Sequence, residues 1–219
     1  MAEAKEFVHA TVAEGVALVT LQDASGIPRL SREVLAALDK TLSNLALRAD
    51  VQGIVLTGTA KCFAAGAELS EVNALTGPAA RRFSHLGQSL MNRIERSPRP
   101  VVAAVRGHCL GGGFDLSLAC HLRIAANDAV FGHPGGSLGL VTGWGGTARL
   151  PRIVGRARAM EMLVTGRLVT AEEARCWRLV NRVVSPENVL TAANAIARAS
   201  GDEAPPRRRE KVEDESGRW

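Results

Sequence analysis

The sequence predicts an α/β domain in which largely parallel strands are covered by helices. Short β-branched runs, such as Ile54-Val55-Leu56 and Val101 to Val105, alternate with longer segments whose apolar residues recur every three or four positions. Two of those runs lead into small-residue, glycine-bearing loops, Cys62 to Leu69 and Gly107 to Gly113. The 219 residues, 46% hydrophobic and 22% charged, suffice for one sizeable core or at most two small domains.

The elements follow in order. Phe7 to Leu21 reads as two short strands about a turn at Glu14 and Gly15, and Gly26, Ile27 and Pro28 then break the chain. Ser31 is the expected N-cap of an amphipathic helix over 31–48, with Leu35, Leu38, Leu42 and Leu45 on one face. The strand at Ile54 to Leu56 delivers the chain into the loop Cys62 to Leu69. From about Ala79 to Arg96, Phe83, Leu86, Leu90 and Ile94 share a helical face, and Pro98 and Pro100 forbid continuation. After the strand Val101 to Val105 comes the turn Gly107 to Gly113, and a short apolar helix, Phe114 to Cys120, opens at its glycines. A third buried strand, Leu122 to Ala125, precedes a glycine-dense stretch, Phe131 to Gly146, and a helix at Arg156 to Val164. Thr170-Ala171-Glu172-Glu173 is a capping box, Val180 to Val184 a strand, and Ser185 with Pro186 opens a helix to about Ala199. No tandem repeat is visible. Residues 1–200 form the expected core domain, and 201–219, charged and interrupted by Pro205 and Pro206, a flexible tail.

Composition narrows the partners. Lys plus Arg number 27 against 22 Asp plus Glu, a formal charge of +5, which favours anionic ligands. Aromatics are only 4% with no tyrosine, so base-stacking platforms are hard to assemble. The helix over 31–48 offers only Arg32, Lys40 and Arg48, and no nucleic-acid partner is expected. Cys62, Cys109, Cys120 and Cys176 form no CxxC pair, so they read as reduced, mostly buried thiols and not as a metal site. No basic head with an apolar run opens the chain, and no stretch approaches the roughly 18 apolar residues of a membrane span. A cytoplasmic protein with no membrane partner is the expectation.

The chemistry is sought in the two loops. Ala65-Gly66-Ala67 and Gly111-Gly112-Gly113 each follow a buried strand and offer backbone N–H groups. Brought together by the sheet, they make a two-donor pocket for a developing oxyanion, with the second donor reinforced by a helix N-terminus. A lone glycine turn merely reverses the chain; the pairing is what points to a site.

The stretches KCFAAGAEL, RPVVAAVRGHCLGGGFDLSLAC, AVFGHPGGSLGLVTGWGGTARLPRIVG and GRLVTAEEARCWRLVNRVV together resemble the enoyl-CoA hydratase/isomerase (crotonase) superfamily, over about Val16 to Ala199. The resemblance implies a ClpP-like spiral of repeated ββα units, here with a shortened C-terminal helical region, and a homotrimer or dimer of trimers. It implies an acyl-CoA substrate whose thioester oxygen sits between the N–H groups of Ala67 and Gly112. Ala65, Gly66, Ala67, Glu68, Leu69 and Ser70, with Gly111, Gly112 and Gly135, would line the substrate path. Coenzyme A would enter as part of the substrate, with no permanently bound cofactor. Lys61 and the run Arg207-Arg208-Arg209 are candidates to attract its phosphates, although solvated charge is their ordinary role.

Family hydratases use two glutamates, at positions that fall here on Asp115 and Gly135. Asp115 keeps a carboxylate set back by one methylene, and Gly135 keeps no acid or base, so the two-glutamate hydratase mechanism is not open to this chain. Three alternatives stay open. Asp115 acts alone, as in a double-bond isomerase. A bicarbonate or other anion stands beside Gly135, as in the similar naphthoate synthases, whose serine and aspartate fall here on Leu140 and Thr142. Or the space at Gly135 receives a substrate carboxylate or a bulky acyl group. His133 is a candidate base or donor, competing with a simple backbone-bonding role. Glu68 is expected to fix its loop, Thr142 to orient a water at most, and His85 lies about a turn from where related dehalogenases carry a catalytic histidine. The reading is an enzyme of this family, a lyase or isomerase, using oxyanion stabilisation of an enolate-like intermediate; the alternative is a weak or inactive acyl-CoA binder with a structural or regulatory role.

Overall fold

A computed structural model of the chain describes residues 7–202. Two sheets carry the architecture. The first has six strands: β1 (Val8–Ala13), β2 (Val16–Leu21), β3 (Gly53–Thr57), β5 (Val101–Val105), β7 (Leu122–Ala126) and β10 (Arg182–Val184), adjacent in that order. β1 pairs antiparallel with β2, and every later pairing is parallel. The second sheet has β4 (Cys62–Ala64), β6 (His108–Leu110), β8 (Val130–Gly132) and β9 (Val169–Thr170), adjacent in that order and parallel except at β8–β9.

The chain alternates between the sheets. β3, β5 and β7 each lie in the first sheet and each passes to the next strand, β4, β6 or β8, in the second; helices then close the unit. After β4 come α2 (Leu69–Asn73) and α3 (Gly77–Glu95), after β6 comes α4 (Gly112–Ala119), and after β8 come α5 (Gly146–Val154) and α6 (Arg156–Thr165). These are the ββα repeats that the resemblance implied. α1 (Arg32–Leu47) precedes them, and α7 (Ala171–Cys176) and α8 (Val189–Asp202) close the described chain.

Residues alternate across the pleat, so Ile54 and Leu56 of β3 enter the larger core between the first sheet and the helices α1 and α3. Val55 faces the other way, into a second cluster with Val102, Ile124 and, from α8, Val189, Ala193 and Ala197. Burial on both faces explains why the strands read as unbroken apolar runs. Ser31 caps α1 by accepting from the Val34 N–H, and Thr170 caps α7 by accepting from the Glu173 N–H.

The structure corrects several boundaries. Cys62 to Leu69 is not all loop, because β4 occupies its start and α2 begins at its end with Glu68 as N-cap. The turn Gly107 to Gly113 contains β6, and α5 emerges from the end of the glycine-dense stretch. Pro186 opens a short 3₁₀ turn, Pro186–Asn188, before α8 proper. α8 runs to Asp202, two residues beyond the expected core boundary; the rest of the charged tail lies outside the described residues. Three of the four free cysteines are buried and Cys176 is exposed. Among the described residues no helix is long and apolar enough to cross a membrane.

One buried charge organises the end of α4. Arg123 donates from Nε to Leu179 O (2.7 Å) and from Nη1 to Ser117 O (3.0 Å) and Cys120 O (2.8 Å). Its guanidinium therefore meets carbonyls in the last turn and C-cap of that helix, where the dipole is negative. Arg123→Met is expected to strand these acceptors and lower unfolding stability by about 3 kcal/mol. Urea denaturation reads this as a lower midpoint at constant slope, and an unchanged midpoint would contradict the assignment.

Candidate active site

Parallel pairing of β4 with β6 sets Ala64 opposite Cys109, so the residues that leave the two strands emerge side by side at one sheet edge. The loops touch through glycine. Gly66 has φ +104°, and a Cβ on it would stand 3.1 Å from the backbone nitrogen of Gly112 and 3.5 Å from Gly111 Cα. Both the left-handed backbone and the close approach demand glycine there. Gly66 O accepts from Leu30 N (2.8 Å), which fixes the first loop, and Gly111 N donates to Gly132 O (2.9 Å), which fixes the second. Gly112, next in line, is the first residue of α4, where an N–H has no partner within the helix and carries the positive end of its dipole.

These loops form part of the wall of a cavity of about 420 Å³. Ala65, Gly66, Ala67, Leu69, Gly111, Gly112, Asp115 and Gly135 all line it, so the structure brings together most of the residues singled out from sequence. Glu68 and Ser70 are not among its lining residues: Glu68 Oε1 accepts from the Ser70 N–H (3.2 Å) and hydroxyl (3.1 Å), and so fixes the loop. Lys61 and His85 are exposed and do not line it. The rest of the lining is largely apolar, with Val72, Leu75, Phe83, Leu138, Leu140 and Val141.

Asp115, in the first turn of α4, is fully buried. Its Oδ2 accepts the Thr142 hydroxyl, and its Oδ1 lies 3.3 Å from Nε2 of His133, also buried. The imidazole is packed against Phe114, with ring centroids 5.0 Å apart. Burial pushes the Asp115 carboxyl up to about 6, with the Thr142 hydroxyl, the backbone N–H groups of Trp144 and Gly146 and the Arg149 charge pulling the other way. Burial pushes His133 down to about 4, so near neutrality the imidazole is uncharged and its contact with Asp115 is not an ion pair. Gly146 makes room for both, since a Cβ there would fall 2.1 Å from Asp115 Oδ1 and 2.9 Å from His133 Nε2.

Two participants were not identified as functional from the sequence. The buried Trp144 indole packs edge-on against Phe83 (5.4 Å between centroids) and over Gly112, where a Cβ would approach it to 2.2 Å. Arg149 holds its backbone in place, donating to Trp144 O (3.2 Å), Asn92 Oδ1 (2.7 Å) and Glu95 Oε2 (2.8 Å). The Gly-Trp-Gly stretch was a signal for Trp144; nothing local marked Arg149, whose side-chain partners lie on α3, 54 residues away for Glu95.

The fold is thus a set of ββα repeats in which two glycine loops meet where neighbouring parallel strands end, and both loops and the buried Asp115 line one cavity. A profile of the enoyl-CoA hydratase/isomerase family matches residues 11–208. The chain is 36% identical over 191 residues to the short-chain-enoyl-CoA hydratase of Clostridium acetobutylicum, covering 87% of this chain and 73% of that protein. It is 37% identical over 185 residues to the crotonyl-CoA hydratase of Syntrophomonas wolfei, covering 84% and 71%. The crystal structure of an enoyl-CoA hydratase from Bacillus anthracis superposes with a TM-score of 0.86 at 35% identity, covering 91% of this chain and 78% of that one. The chain belongs to the enoyl-CoA hydratase/isomerase family, within the crotonase superfamily.

The raised Asp115 carboxyl has a consequence for stability. Because the folded state binds that proton more tightly than the unfolded one, the stability it contributes is full below pH 3.8 and is lost as pH rises through about 6. Asp115→Asn cannot ionise, so at pH 7.5 it is expected to be more stable than the parent by up to about 3 kcal/mol, with the gap closing towards pH 4. Thermal melts of both proteins across that range check this, and a pH-independent difference would refute it.

Proposed function

We propose that the chain is an acyl-CoA-processing enzyme in which the N–H groups of Ala67 and Gly112 receive the thioester oxygen and Asp115 moves the proton. The observation that carries this reading is the placement of one buried carboxyl, with its pKa raised towards neutrality, on the wall of the cavity that the two glycine loops also line. A group that titrates near the working pH exchanges protons with carbon most effectively, and two preorganised donors stabilise the enolate oxygen that such exchange creates. The hydratase names of the relatives support the substrate class.

The cavity also bears on the acyl group. Among the described residues its lining contains no lysine or arginine, and it includes Asp115. A bicarbonate or a substrate carboxylate beside Gly135 would find no cation among the described lining residues, which favours an uncharged occupant. Among the described residues a Cβ at Gly135 would meet only Leu140, at 3.4 Å, and this opening suits an uncharged, apolar acyl chain. We infer a homotrimer or a dimer of trimers as the working assembly, on the strength of the family alone.

Asp115→Asn is expected to lower turnover of an enoyl-CoA by about 100-fold or more while leaving CoA-thioester binding measurable by calorimetry. The pH profile of the parent should rise through about 6 as Asp115 loses its proton. Gly112→Pro, which deletes one donor, should abolish turnover. Full activity in either variant would remove that residue from the mechanism, and tight binding with no turnover of any acyl-CoA by the parent would replace the reading with a non-catalytic acyl-CoA-binding role.

A further inference from the structure

The Asp115 carboxyl is shut in on both of its oxygens. The side chain is only 1% exposed, Oδ1 is buried against His133 Nε2 at 3.3 Å, and Oδ2 accepts the Thr142 hydroxyl. Thr142, by contrast, is partly exposed and lines the cavity. The sequence led to the expectation that it orients a water at most, yet in the structure its hydroxyl is bonded to the buried acid. A proton that passes between Asp115 and the cavity therefore has a ready carrier in this side chain.

The turn that bears Thr142 is fixed from α3. Gly143 O accepts from the Ser84 hydroxyl (2.9 Å) and from Gln88 Nε2 (2.8 Å). Gly146 leaves space for the side chain, since a Cβ there would fall 2.9 Å from Thr142 Cγ2. Thr142 also borders a second groove of about 710 Å³, whose lining includes Ser84, Gln88, Asn92 and Thr147. One residue thus touches the acid, the acyl cavity and a polar groove at the surface.

We infer that Thr142 is a catalytic residue, whose hydroxyl relays the proton between the α-carbon of a bound acyl-CoA and the buried Asp115 carboxylate. This deepens the proposed function and rests on it. A hydroxyl has one proton to give and lone pairs to accept another, so it can do both in one step. As the Cα–H bond breaks, its proton goes to Thr142 Oγ1 and the hydroxyl's own proton goes to Asp115 Oδ2. The C–H electron pair becomes that of the enolate, whose oxygen lies at Ala67 and Gly112. The reverse step returns a proton to carbon and leaves Thr142 as it began, with no further reactant. The polar groove offers the same hydroxyl a way to exchange that proton with solvent while an acyl chain fills the cavity.

Exchange of the α-protons of butyryl-CoA in D₂O, followed by NMR across pH, tests the relay. Thr142→Val keeps the shape of the side chain without its hydroxyl, and is expected to lower the exchange rate by about 100-fold. Thr142→Ser, which keeps the hydroxyl, is expected to stay within about tenfold of the parent. The pH profile separates a relay from a hydroxyl that only holds the carboxylate. The ionisable groups acting on Asp115 are His133, after β8, and Arg149 of α5, and both variants retain them. Loss of the Thr142 hydrogen bond lets the carboxyl titrate higher than its present value of about 6. A holding role alone would therefore let Thr142→Val reach the parent's plateau at higher pH, and that result would overturn the inference. The relay predicts that the deficit persists on the plateau. An equal fall in Thr142→Val and Thr142→Ser, or loss of butyryl-CoA binding by calorimetry in Thr142→Val, would show that Thr142 only supports the site and would overturn it too. Each of these outcomes, with exchange by the parent, leaves the proposed function standing; a parent that exchanges no α-proton would overturn the proposed function itself.

Discussion

The contact between two loops that leave neighbouring parallel strands is the constraint on which the rest of the site depends. β4 ends at Ala64 and β6 at Leu110, and because the strands run the same way both chains emerge at the same edge. An antiparallel pair would send them to opposite ends. The close approach that follows, with Gly66 at φ +104°, calls for glycine there and places the start of α4 against the first loop. From this one registration come the approach of Gly66 to Gly112, the direction of the α4 dipole and the position of Asp115 in the first turn of that helix.

Burying Asp115 has a cost, and its surroundings show how that cost is moderated without being removed. Desolvation raises its pKa, while the Thr142 hydroxyl, two backbone N–H groups and the more distant Arg149 charge each favour the ionised form. The outcome is a carboxyl that titrates near pH 6, where a side chain can both take and return a proton. His133 completes the environment as a neutral neighbour, so it neither quenches the carboxylate as a salt-bridge partner nor competes with it for charge. Trp144 packs against Gly87 and Gly112, so the surroundings of the carboxyl on that side are apolar.

What was legible in the sequence was what repeats or what needs a rare residue. The leucines of α1 and the apolar face of α3 carry enough helical turns to show their period, and the first-sheet strands β3, β5 and β7 are buried on both faces and read as unbroken runs. The second sheet was hidden because β4, β6, β8 and β9 are only two or three residues long, too short to display an alternation. α5 was masked by the glycines at its start and by Pro151 within it. At the site, the glycines of both loops and the acid at Asp115 stood out because close backbone approach and a helix N-terminus demand such residues. The partnership of Asp115 with His133 and Thr142 did not, since it joins a helix residue to two residues in irregular segments further along the chain, and the bracing of Trp144 by Arg149, anchored on α3, left no mark in either segment.

The most direct test of this account is a crystal structure of the protein with butyryl-CoA, a saturated thioester that binds without being hydrated. The account predicts the thioester oxygen within about 3 Å of both the Ala67 and Gly112 nitrogens, with Cα facing the Asp115 carboxyl and the acyl chain along the apolar wall. A thioester held elsewhere, or with its oxygen turned away from those two nitrogens, would contradict it.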